Sequence, residues 1–159
     1  MALLTTTATV TVNPAFLQEI KEVNQELWQT LVELRERCSR PIHTGGCRHL
    51  INWLCELRDQ LALHFALEES FGYFDQPLNV APELSDAADR LRNEHKQLYA
   101  EFSELVDHAE NLFYSGHVTQ LSLWVGSAFV DFDDRLRDHE ERENALIYEA
   151  FDSDIGVGD

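Results

Sequence analysis

His64 and Glu68, four residues apart, recur in type and spacing as His139 and Glu143, and a third histidine, His95, stands between the two pairs. Residues four apart on a helix lie about 6 Å apart along its axis and on one face, so each pair can present a nitrogen and an oxygen to the same point. Three imidazoles and two carboxylates make a mixed donor set suited to iron, manganese or zinc. The absence of thiolates among them argues against a soft-metal or iron–sulfur site. Two carboxylates at the centre could bridge two metals.

These residues interrupt apolar stripes of helical spacing. The stripes run Phe16, Ile20, Asn24, Leu27, Leu31, Leu34; then Leu50, Leu54, Leu57, Leu61, His64, Glu68, Phe71. They continue as Leu84, Ala88, Leu91, His95, Leu98, Phe102, Leu105, and as Phe129, Phe132, Leu136, His139, Glu143, Leu146, Ala150. Four long helical segments joined by short connections predict an all-α fold, an antiparallel up-down-up-down four-helix bundle. In such a bundle Leu27, Leu61, Leu98 and Leu136 form one apolar layer, and Ile20, Phe71, Leu91 and Leu146 another. Every polar interruption falls between the two. A lone core histidine is usually a hydrogen-bonded structural residue. Three of them in one layer with two glutamates call for a cation, because an unpaired buried carboxylate costs several kcal/mol.

The turns are marked by Ser39–Gly46, Asp75–Ser85 and Tyr114–His117, where most of the internal prolines and glycines sit. Pro14 behind Asn13 suits the first helical position and Pro41 stops the first helix. With 159 residues, the chain is expected to form one domain over 14–151, with flexible tails at 1–13 and 152–159. A net charge of −17 lacks the clustered Lys and Arg that phosphate contacts need, which excludes nucleic acid as a partner class. No signal peptide or membrane span is visible, so a cytoplasmic protein is expected. Three cysteines, Cys38, Cys47 and Cys55, fit reduced thiols better than a disulfide framework. The first two lie with His43 and His49 in CSRPIHTGGCRH, whose spacing matches no common zinc pattern.

The segments HFALEE (His64–Glu69), NEHKQL (Asn93–Leu98) and DHEERE (Asp138–Glu143) resemble the strongest signatures of the hemerythrin-like, or HHE cation-binding, domains. The resemblance extends by helix order from about Pro14 to Phe151. It implies a non-haem di-iron centre in the bundle core, with His64 and His139 as terminal ligands, Glu68 and Glu143 as bridging carboxylates, and His95 as a ligand from the third helix. Ferritin-like bundles compete, but their Glu-x-x-His pattern precedes none of the seven histidines. Two features depart from the family. Asn24 stands where its first helix usually brings a histidine, and Leu91 and Tyr99 where oxygen carriers bring a second one from the third helix. That argues against reversible oxygen carriage.

Around the five ligands, four residues are candidates for metal or supporting contacts. Asn24 could coordinate through its carbonyl or hydrogen-bond a metal-bound water. Tyr99, one turn after His95, could supply a phenolate, or be a core tyrosine. Glu69 and Glu94 adjoin ligands but point about 100° away around the helix, which suits supporting contacts. His49, His108 and His117 read as surface residues.

The resemblance and the layered ligands favour a non-haem iron protein, with one or two iron per chain and zinc or manganese as alternatives. Its partner would be a diatomic or peroxide ligand, sensed or bound. A peroxidase-like or repair enzyme is a second class; the cysteine-bearing extra domain associated with repair relatives has no counterpart here. A metal-poor helical interaction module is the third.

Overall fold

The computed structural model describes residues 14–70 and 82–157. Phe71 and the expected tail at 1–13 lie outside those residues, and the side chains of Phe16, Ile20 and Ala150 are likewise not described. Among the described residues there are four α-helices: α1 (Pro14–Cys38), α2 (Cys47–Ser70), α3 (Ser85–Tyr114) and α4 (Val118–Val157). The last runs past Phe151, where the sequence reading closes the domain. Short 3-10 turns at Thr44–Gly46 and Pro82–Leu84 lead into α2 and α3.

The helix ends follow local chemistry. Ser39 N–H returns to the Arg35 carbonyl and Ser39 Oγ to that of Glu36, while Arg35 and Arg37 place positive charge in the last turn of α1. Between α3 and α4, Gly116 adopts φ +82°, a conformation that side chains with a Cβ rarely take. It lets His117 N–H reach the Leu112 carbonyl (2.8 Å) and Gly116 N–H that of Phe113 (3.2 Å), the paired bonds of a Schellman cap. That tight turn leads from α3 into α4, which packs against it.

The helices pack as a bundle, with α1 on α2, α2 on α3 and α3 on α4. Cross-helix contacts include Asn24 with His64 and Arg37 over Trp53 between α1 and α2, and Arg58–Asp107 and Glu69–His95 between α2 and α3. Glu101–Arg135 and Glu94–Arg142 join α3 to α4. A large core cluster holds Leu27, Leu31, Leu34, Leu54, Leu57, Leu61, Leu98, Phe102, Phe129 and Leu136. A separate small one holds Ala88, Leu91 and Leu146. Among the described residues the apolar interior is therefore divided, and the polar layer lies at the division. None of the described helices is long and apolar enough to cross a membrane.

One ionic contact is not visible in the apolar periodicity. Asp133, buried on α4, takes both Arg35 Nε (to Oδ2) and Nη2 (to Oδ1) at 2.7 Å, a bidentate clasp between the first and last helices. All three cysteines are free. Burial first, and then Asp133, push the Cys38 thiol up to about 11. Burial and the Glu110 carboxylate do the same for Cys55, so neither offers a reactive thiolate near neutrality.

Removing Arg35 leaves a buried carboxylate with only the longer contact from Arg137 (3.5 Å). Arg35→Met is expected to lower the unfolding free energy by about 2 kcal/mol in urea titration. Arg40→Met, which removes an exposed i,i+4 pair with Glu36, should cost less than about 0.5 kcal/mol. Equal losses would refute the clasp.

Candidate metal centre

Two groups of donor atoms meet in the polar layer. His95, His139 and Glu143 form one, His64, Glu68 and Glu140 the other, and within each group the donor atoms all lie within 4.8 Å of one another. Glu68 joins them: its Oε1 is 2.5 Å from His64 Nε2 and its Oε2 is 3.2 Å from His95 Nε2. Glu143 Oε2 is 2.9 Å from His139 Nε2 and 3.5 Å from His95 Nε2. Glu140 Oε1 stands 3.1 Å from His64 Nε2. Phe65 closes one side, its ring stacked on His95 with centroids 4.4 Å apart.

The three imidazoles share one orientation. Each directs Nε2 inward to the carboxylates and gives its Nδ1–H to an outer oxygen. His64 donates to Asn24 Oδ1 (2.7 Å), His95 to Glu69 Oε1 (3.2 Å) and His139 to Glu94 Oε2 (2.8 Å). Glu94 is itself gripped by both terminal nitrogens of Arg142, at 2.6 and 2.8 Å. An outer acceptor on Nδ1 fixes the tautomer that leaves Nε2 as a lone-pair donor, the support that metal-bound histidines need.

The inner atoms are those that a cation would satisfy. Glu68 Oε2 and His139 Nε2 are buried without a well-aligned hydrogen-bond partner, despite charged neighbours at about 3 Å. Glu143 follows His139 by one helical turn, so their donor atoms lie side by side and face the same space. The residues present therefore fit a metal ion.

Without a metal, protons supply the positive charge. Burial alone would lower the His64 pKa, but contacts with the Glu140 and Glu68 carboxylates outweigh it and raise it to about 10. The same balance, with Glu143 and Glu68, raises His95 to about 9, and Glu143 and Glu94 raise His139. Burial would raise Glu68, yet His64, His95 and Glu143 bring it down to about 2.

Of the residues singled out in the sequence, His64, Glu68, His95, His139 and Glu143 come together. Asn24, Glu69 and Glu94 stand behind the histidines, and Asn24 bonds an imidazole instead of facing the inner donor space. Tyr99 requires a correction: it is 38% exposed and outside the layer. It is about 40° further round the helix than His95, and the buried line continues through Leu98 and Phe102. Glu140 was missed. Its sequence signal was an acidic residue directly after a ligand, the same signal that placed Glu69 in a supporting position. Among the described residues, no group able to hold a metal includes a cysteine. His117 is exposed and bonds Ser115 Oγ, and His108 packs edge-on against Trp124.

No family model, no curated protein and no solved structure matches the chain. The case for metal binding therefore rests on the buried His/Glu clusters themselves.

The metal-free protein has a defined pH response. The raised histidines stabilise the fold fully below about 6.5, and that contribution is lost as pH rises through about 9 to 10. Glu68 stabilises it above about 4.5, a contribution lost as pH falls toward about 2. Thermal melts of chelator-treated protein should show Tm falling between neutral pH and pH about 10, and metal-loaded protein should lose less. A metal-free Tm unchanged across that interval would refute the protonated cluster.

Proposed function

We propose that this chain is a hemerythrin-like non-haem iron protein that holds two iron ions in the core of an antiparallel up-down-up-down bundle and binds or senses a diatomic or peroxide ligand there. The observation that carries this reading is the pair of buried donor groups linked by Glu68. His64, Glu68, His95, His139 and Glu143 are the metal ligands, joined by Glu140. Glu69, Glu94 and Asn24 hold the imidazoles from outside. Support for the antiparallel course comes from contacts that run in opposite senses, Arg58–Asp107 then Glu69–His95, and Glu94–Arg142 then Glu101–Arg135. Imidazole and carboxylate donors suit iron, with manganese and zinc as the competing cations. Bound iron would supply redox chemistry and an open coordination position, and the surrounding Leu61, Phe65 and Leu98 would limit water. The free thiols are compatible with a reducing, cytoplasmic setting.

The test is metal analysis with an optical spectrum. Protein loaded anaerobically should take up to two iron per chain, one for each donor group, and show absorption that changes with azide or peroxide. Glu68→Ala, which removes the carboxylate that joins the two groups, should abolish the two-iron pair and leave at most one iron per chain, with helical circular dichroism confirming the fold. Stoichiometric zinc with no oxidant response would sink the redox reading, and a chain that refuses iron would favour an interaction module.

A further inference from the structure

The two donor groups differ in composition, support and exposure. The His95–His139–Glu143 group has two imidazoles and one carboxylate, and their side chains are 2%, 1% and 1% exposed. The His64–Glu68–Glu140 group has one imidazole and two carboxylates, 6%, 9% and 13% exposed. Behind the first group stand carboxylates: Glu69 on His95, and Glu94, clamped by Arg142, on His139. Behind His64 stands the neutral amide of Asn24. A carboxylate acceptor makes the imidazole more basic and a stronger ligand, whereas an amide only orients it. Glu140, from α4, is the most exposed of the six.

Resting on the metal-binding reading above, we infer that the centre loads in order: His95–His139–Glu143 holds a tightly bound iron, and His64–Glu68–Glu140 is an exchangeable second position that accepts a harder divalent cation. Oxygen-rich donors suit manganese or magnesium, while two imidazoles with one carboxylate suit ferrous iron. Mn(II) should therefore compete at the second position and leave the first iron in place. Asn24 is the positioning residue that keeps the second position weak, since it fixes the His64 tautomer without adding charge.

The experiment titrates metal-free full-length protein with Fe(II) anaerobically against a chelator series, counting bound metal per chain. Wild type should fill two positions in two phases separated by at least about tenfold in affinity, and Mn(II) should displace only the weaker. Glu140→Gln should lose the weak phase and keep the tight one. Asn24→Asp, which sets a carboxylate behind His64, should tighten the weak phase by about tenfold and narrow the gap. A single phase of two equal metals, equal loss of both phases in Glu140→Gln, or no change in Asn24→Asp would each overturn the ordered loading while leaving metal binding intact. Wild type that binds no metal would overturn both.

Discussion

The governing constraint is the burial of ionisable groups. Six imidazole and carboxylate side chains meet where a bundle of this size would otherwise place leucine, and neither set can be buried alone. A carboxylate without a partner in that surrounding costs several kcal/mol, and an imidazole without a bond to each nitrogen costs a hydrogen bond on every unsatisfied side. The division of the apolar interior follows. A large cluster lies on one side of the layer and Ala88, Leu91 and Leu146 on the other, and the Phe65 ring stacks on His95. Buried ionic groups are weak contributors to stability, and removing one partner is more damaging than the pair is helpful. Their presence here is more readily understood as a binding function than as a stabilising device.

The same constraint explains the outer contacts. An imidazole that offers Nε2 inward has a proton on Nδ1, and that proton must go to an acceptor on a neighbouring helix. Asn24 on α1, Glu69 on α2 and Glu94 on α3 provide these acceptors for His64 on α2, His95 on α3 and His139 on α4. Each helix therefore supports the histidine of the next. The layer is tied together in helix order, and the contacts that orient donors also fix the height of one helix against its neighbour. Arg35 and Asp133 do the corresponding work between α1 and α4, away from the layer.

Much of this could be read from the chain because helical periodicity reports which side of a helix is buried. The stripe positions Leu27, Leu61, Leu98 and Leu136 are all in the main cluster, and His64, Glu68, His95, His139 and Glu143 are buried together. What periodicity could not supply was orientation around the helix to better than about one residue. Tyr99 and Leu98 are adjacent candidates for the place above His95, and packing chose the leucine. Glu140 lies off the stripe of its own helix, yet its longer side chain reaches His64. Asp133 is invisible for another reason: its burial depends on an arginine 98 positions away, a pairing with no local sequence signature.

Glu140 also breaks the pattern of support, and the break begins at Asn24. In two of the three cases an acidic residue next to a ligand turns away from its own centre and accepts a proton from the following helix, as Glu69 and Glu94 do. Glu140 has the same relation to His139 that Glu69 has to Glu68, but the outer nitrogen of its nearest imidazole is already occupied by the Asn24 amide. The remaining place beside His64 is the inner nitrogen, and Glu140 Oε1 stands there at 3.1 Å. A neutral residue on the first helix thus has two effects on the layer. It supplies no donor of its own to the interior, and it leaves the inner side of His64 to Glu68 and to a carboxylate from the last helix.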